Sequence, residues 1–156
     1  MPVRPVTCLF AAIGLAACSG PAPADAQIRT ATAQTKATQA SATTIAKGTF
    51  SDGDGHASTG GARIVTDADG SHTLVLHAAF ATDGGPDLRV WLSEAPAGDG
   101  DAIADASHID LGALDASTGG QSYAIPAGTD IAALRSAVIW CRAFGVYFGW
   151  ATLESA

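Results

Sequence analysis

Hydrophobic positions in the second half of the chain recur at every other residue. In HTLVLHAAF, Leu74, Leu76, Ala78 and Phe80 share one face and Thr73, Val75, His77 and Ala79 the other, the period of a half-buried strand. LRVWLS repeats the pattern, with Leu88, Val90 and Leu92 set against Arg89, Trp91 and Ser93. Shorter segments of the same kind are ARIVT around Ile64, HIDLG around Ile109 and QSYAI around Tyr123. DADGS at 67–71 reads as a hairpin connection and TDGGP at 82–86 as a sharp break, because Gly, Asp and Pro supply the backbone angles that reversals need. Only PAGTDIAALRS has helical character, one or two turns over Asp130–Arg135. The pattern predicts an all-β fold: an antiparallel β-sandwich or barrel-like domain with at most one short helix.

The terminal run needs separate treatment. Ala137 to Leu153 is an apolar, aromatic stretch about three times the length of an ordinary strand. It predicts a turn or bulge at Arg142–Phe144 between AVIWC and GVYFGWATL. In the first piece Cys141 and Ile139 share a face opposite Val138 and Trp140; in the second, Val146, Phe148 and Trp150 line one face. Trp91, Trp140, Trp150, Tyr123 and Phe148 form either an aromatic pocket or the core, and a domain with few aromatics favours the core.

The N-terminal half is built differently. Residues 1–17 carry Arg4 and then an uncharged apolar stretch, too short for the roughly 20 residues of a spanning helix and laid out as a secretory signal. Leu15-Ala16-Ala17-Cys18 resembles the lipobox of bacterial lipoproteins. That resemblance implies cleavage before Cys18, lipidation of its thiol and anchoring to membrane lipid, with the chain facing the periplasm. Ser19 resembles the sorting residue of outer-membrane lipoproteins. Residues 18–44 are then the lipidated N-terminus and a tether rich in Ala, Thr, Gln and Ser and free of aromatics, with too little apolar area to offset chain entropy. A coil of that length spans roughly 30 Å. Residues 45–156 make one domain, long enough for a core.

Charge and cysteine content narrow the function classes. With Arg4 removed, seven basic residues face fifteen acidic ones, which excludes nucleic acid as the main partner. Cys8 leaves with the signal and Cys18 becomes a thioether, so Cys141 is the one remaining thiol and no internal disulfide can form. A lone cysteine in an oxidising compartment must be buried or used. As a redox thiol it requires a lowered pKa and access; as a packing residue it behaves as a small hydrophobe. Arg142 is adjacent but alternates to the opposite face of a strand.

Other chemistry is absent by spacing. There is no C-x-x-C-H for covalent haem, and a noncovalent haem requires Cys141 or a histidine as axial ligand. His56, His72, His77 and His108 form no metal-binding pair, and no metal site is expected. The acidic loops FSDGDGH and GDGDAIADAS lack the calcium-loop arrangement, with Ile103 in a ligand position. No G-x-S-x-G occurs, and Ser122 reads as a strand residue after a turn. A redox or binding module is favoured over an enzyme with its own substrate.

Gly48 and Phe50 followed by His56, Gly61, GPDLRVWLS at 85–93, LGAL at 111–114, GGQSYAIP at 119–126 and VIWCRAFGVYFGWATL together resemble the DM-thirteen domain family, across Ile45–Leu153. The resemblance implies a β-rich extracytoplasmic domain of electron-transfer systems, which in animal cell-surface proteins accompanies a cytochrome-like DOMON domain. No such partner domain is present in this sequence, so the implied redox partner is a separate protein. The family's cysteine falls on Cys141, implying a redox thiol or a ligand to a group such as haem. His56 matches a family position, and His56 and Trp140 join Cys141 as cofactor-binding candidates. The alternative is a noncatalytic binding or structural module of the envelope with Cys141 in the core.

Overall fold

The computed structural model describes residues 42–156; the expected signal segment, Cys18 and the tether as far as residue 41 lie outside the described residues. The strands are β1 (Thr43–Asp52), β2 (Ser58–Thr59), β3 (Gly61–Thr66), β4 (His72–Leu76), β5 (Ala81–Thr82), β6 (Leu88–Ser93), β7 (His108–Ala113), β8 (Gln121–Ile125), β9 (Ser136–Cys141), β10 (Val146–Thr152) and β11 (Glu154–Ser155). One short helix, α1 (Gly100–Asp105), precedes β7, and a single 3-10 turn (Ile131–Ala133) precedes β9. The fold is all-β.

The main sheet runs β7-β6-β9-β10-β1-β3-β4-β8, with β11 added to β1 and a separate β2–β5 pair. Every pairing is antiparallel. The outer strands β7 and β8 approach each other, and side chains of β8 lace it to the loop that follows β7. Gln121 accepts from the Ala116 amide (3.2 Å) and donates to the Ala116 carbonyl (2.7 Å), while the Tyr123 hydroxyl accepts from the Asp115 amide (3.1 Å). The sheet is thereby nearly closed into a barrel, which leaves little open edge.

The barrel interior holds Ile64, Leu74, Leu76, Phe80, Leu88, Val90, Leu92, Ile139, Cys141 and Phe148. A second, smaller apolar cluster lies on the outside of β6 and β9: Trp91, Val138 and Trp140, covered by Ala95 and by Ile103 of α1. Strand β9 therefore has no solvent face, and all six of its residues are buried.

The structure departs from the periodicity in four places. Strand β1 starts at Thr43, ahead of the expected domain boundary at Ile45, because Thr43 and Thr44 pair with Thr66 and Val65. Strand β4 stops at Leu76, and His77–Ala79 turn over a backbone bond from the Phe80 amide to the His77 carbonyl (2.8 Å); Phe80 still reaches the core, but Ala78 is exposed. The helical stretch at Asp130–Arg135 is reduced to the 3-10 turn, while α1 forms within the acidic loop. Asp99 caps α1 by accepting from the Ala102 amide (3.0 Å). Finally, the register of β10 against β9 shifts between Tyr147 and Gly149. This bulge turns Trp150 to the outer face beside Tyr147 while Val146 and Phe148 stay inside. The five aromatics grouped in the sequence are thus split, with Tyr123 and Phe148 inside and the three tryptophans outside.

Ile103 is fully buried and is the anchor of the loop over the outer cluster. Ile103→Ala is expected to destabilise the domain by about 2–5 kcal/mol, the usual cost of such a truncation, measured by denaturant unfolding. A loss below about 1 kcal/mol would mean that the loop is not held by this contact.

Candidate functional site

The three candidate residues lie in three separate environments, two of them on the opposite faces of β9. On the inner face, Cys141 is 0% exposed. Its backbone pairs with Leu88 of β6 and Val146 of β10, and its side chain belongs to the barrel core. The thiol is free. Arg142 points away, its exposed guanidinium bonding Asp87 (Nε to Oδ2, 2.8 Å), and so provides no cation to the thiol. Five cavities among the described residues are lined by other side chains. As packed, Cys141 does not fit the role of axial ligand to haem, because nothing the size of a macrocycle can reach its Sγ without opening the barrel.

His56 sits at the barrel end. Gly53-Asp54-Gly55-His56 is a tight two-residue reversal: Gly53 and His56 exchange backbone bonds of 3.0 and 2.7 Å, with Asp54 and Gly55 both at positive φ (44° and 78°). An Asp-Gly pair suits this turn because both residues tolerate that conformation. The turn lays the imidazole flat on Phe148, with ring centroids 3.6 Å apart and planes at 7°. The Nδ1 atom is 3.6 Å from Asp83 Oδ2. Behind the ring, buried Ser58 bonds Thr82 (2.7 Å) and donates to the Phe148 carbonyl (2.9 Å), holding the bulged segment in place.

Trp140 lies on the outer face, opposite Cys141. It stacks on Trp91 (4.6 Å, 17°), and Trp91 stacks on His108 (3.9 Å, 16°). The Trp91 indole N–H is buried without a hydrogen-bond partner; it lies near the Asp110 carboxylate but outside hydrogen-bond geometry. Asp110 instead receives two bonds from Arg89 (3.1 and 3.0 Å) and one from the Gly112 amide (2.8 Å). Partial burial pushes its pKa up, but those bonds and the Arg89 charge outweigh it and hold the carboxyl below its ordinary value.

Beside Trp140 opens a cavity of about 420 Å³, lined chiefly by Trp140, Tyr147, Asp54, Asp99 and Asp101. Partial burial, followed by the field of those three carboxylates, raises the Tyr147 pKa above its ordinary value. The three residues marked in the sequence therefore do not converge: Cys141 is in the core, His56 at the barrel end and Trp140 in the outer layer. The sequence reading missed the cavity, because Asp54, Asp99 and Asp101 come from two distant loops. The only available signal was the acidic character of both.

An antiparallel, nearly closed β-barrel with one buried thiol and an aromatic outer layer defines a small extracore-decorated β domain with no assembled catalytic constellation among the described residues. Comparison with family models matches residues 49–153 to the DM13 electron transfer domain, and the chain belongs to that family. Comparisons with curated proteins and with solved structures returned no match.

Because the folded Asp110 carboxyl ionises below its unfolded value, its contribution to stability is present above about pH 4 and fades as pH falls through the folded pKa. Arg89→Gln is expected to lower stability at neutral pH and to flatten the loss as the pH falls below about 4. Urea midpoints of both proteins across that range provide the check; parallel curves would contradict the assignment.

Proposed function

We propose that this chain is a lipid-anchored, extracytoplasmic electron-transfer module of the cell envelope, held to the membrane through Cys18 and facing the periplasm. The family match over residues 49–153, which includes Cys141, carries the electron-transfer reading. The LAAC segment and the low-complexity tether that follows it support the anchor, and Ser19 supports the outer membrane. Electrons pass to or from a separate redox protein. Cys141 is the one thiol able to take part, and in the resting fold it is sequestered, so chemistry at Sγ requires β9 and β10 to part near their connecting turn. His56 and Trp140 contribute as supports of the two layers around that hairpin, through Phe148 and Trp91 respectively.

The complete burial of Cys141 favours a second reading at this one residue: a packing cysteine in a noncatalytic binding or structural module. The two are separated by experiment. The native thiol is expected to resist maleimide and to label fully in denaturant, as its burial requires. In voltammetry of the purified full chain, the electron-transfer reading expects a reversible wave that Cys141→Ser abolishes with the fold retained. A wave that is unchanged in that variant assigns Cys141 to packing alone, and the absence of any wave removes the electron-transfer role from this domain by itself.

Anchoring has its own test. Cys18→Ser is expected to abolish incorporation of a fatty-acid probe and to move the protein from the membrane fraction to the soluble fraction. Continued labelling of the variant would rule out Cys18 as the lipid site.

A further inference from the structure

The cavity beside Trp140 has a chemistry that the electron-transfer reading does not use. Its lining contains three carboxylates, Asp54, Asp99 and Asp101, and no Lys, Arg or His. Among the described residues none of the three forms an ion pair. The wall between them is aromatic: Tyr147 and Trp140 are cross-strand neighbours in β10 and β9 and both line the space. Independently of the charge, the fold fixes this wall in place. One edge of the Tyr147 ring lies against the backbone of Gly53 and the other against that of Gly100, so closely that a Cβ at either glycine would collide with the ring. Trp150 meets Tyr147 edge-on at 5.0 Å, and Trp140 is backed by the Trp91 stack. Clamped aromatic rings beside uncompensated carboxylates attract a cation through the ring quadrupole and through Coulomb attraction together.

The kind of cation follows from the spacing. Among the described residues no group of three or more His, Cys, Asp or Glu side chains is placed to hold a metal ion, so the carboxylates surround the space and do not converge on one point. A cavity of about 420 Å³ falls in the range of small-molecule sites. A bulky, weakly hydrated cation fits within such a space and gives up little hydration when it touches the rings directly. We propose that the cavity between the Asp54 turn, the α1 loop and Tyr147 binds a trimethylammonium compound, with Tyr147 and Trp140 against the methyl groups and Asp54, Asp99 and Asp101 around the charge. The raised Tyr147 pKa, to which the three carboxylates contribute, shows that their field reaches the ring.

The test uses the full mature chain in an uncharged maltoside detergent, following the Trp140 indole signal by NMR. Choline is expected to shift that signal saturably. Its uncharged carbon analogue 3,3-dimethylbutanol, and glycine betaine, whose carboxylate the aspartates repel, are expected to bind at least about tenfold more weakly. Asp54→Asn/Asp99→Asn/Asp101→Asn keeps a side chain suited to the left-handed turn position and to the helix cap, and is expected to weaken choline at least about tenfold. Glycerophosphocholine separates the two sources of the group: its phosphodiester is repelled by the aspartates as the betaine carboxylate is, so weaker binding than choline marks a site for a free cation, whereas tighter binding, which requires further contacts to the glycerophosphate, identifies a lipid headgroup, and either supports the site. Gly100→Ala, which displaces the Tyr147 ring, is expected to weaken choline while leaving the carboxylates in place. An indole signal unmoved by choline, equal binding of the neutral analogue, or undiminished binding in the folded triple variant would each overturn the proposal. None of these outcomes depends on the redox properties of Cys141.

Discussion

The fold depends on one strand that has apolar layers on both sides. Every residue of β9 from Ser136 to Cys141 is buried: Ala137, Ile139 and Cys141 face the barrel interior, and Val138 and Trp140 face the outer layer. Such a strand contributes twice the apolar burial of an ordinary surface strand, at about 25 cal/mol per Å². It also places a strict demand on polar groups, which must be satisfied where they are buried. Ser136 at its start and Ser93, its partner at the end of β6, show how this is met. Ser136 donates to the Ala95 carbonyl (2.9 Å) and Ser93 accepts from the Ala95 amide (3.1 Å), so the loop that leaves β6 is pinned where it begins to cross the outer face.

That loop converts a barrel wall into an interior. Ile103 inserts toward Trp91 and Trp140, and the bulge in β10 brings Trp150 round to join them. Ahead of that shift Tyr147 and Phe148 keep the ordinary alternation of the strand: Phe148 points inward, where it supports His56, and Tyr147 outward, into the wall of the acidic cavity. The glycines on either side of Tyr147 are there for close approach, since neither position leaves room for a side chain.

The separation of the two layers also resolves the position of the thiol. A free thiol is open to oxidants wherever it meets solvent, and at Cys141 the barrel excludes solvent completely. Burial protects the sulfur and at the same time withholds it, because a nucleophilic thiolate needs a neighbouring positive charge and access, and Arg142 is engaged outside with Asp87. Family membership and local geometry therefore bear on different properties. The first assigns the domain to electron transfer, and the second describes a sequestered thiol beside an open, acidic and aromatic surface.

Much of the fold was legible in the alternation of LRVWLS, HTLVL and AVIWC, since a period of two admits one face toward a core whatever the topology. The DM-thirteen resemblance was legible too, because its motifs are local strings. What the sequence could not specify was which second face would be covered. Trp91 and Trp140 alternate as surface residues would, and only the α1 loop packed across them makes them interior. The bulge in β10 inverted the expected face of Trp150, because an inserted residue changes the phase of every side chain beyond it. Cys141 and Trp140 fell on opposite faces of β9, as their alternation had placed them, whereas the stacking of His56 on Phe148 and the meeting of Asp54, Asp99, Asp101 and Tyr147 from three segments had no local signal. Sequence determines the periods of the elements; where their faces meet is decided by long-range packing, which no local string encodes.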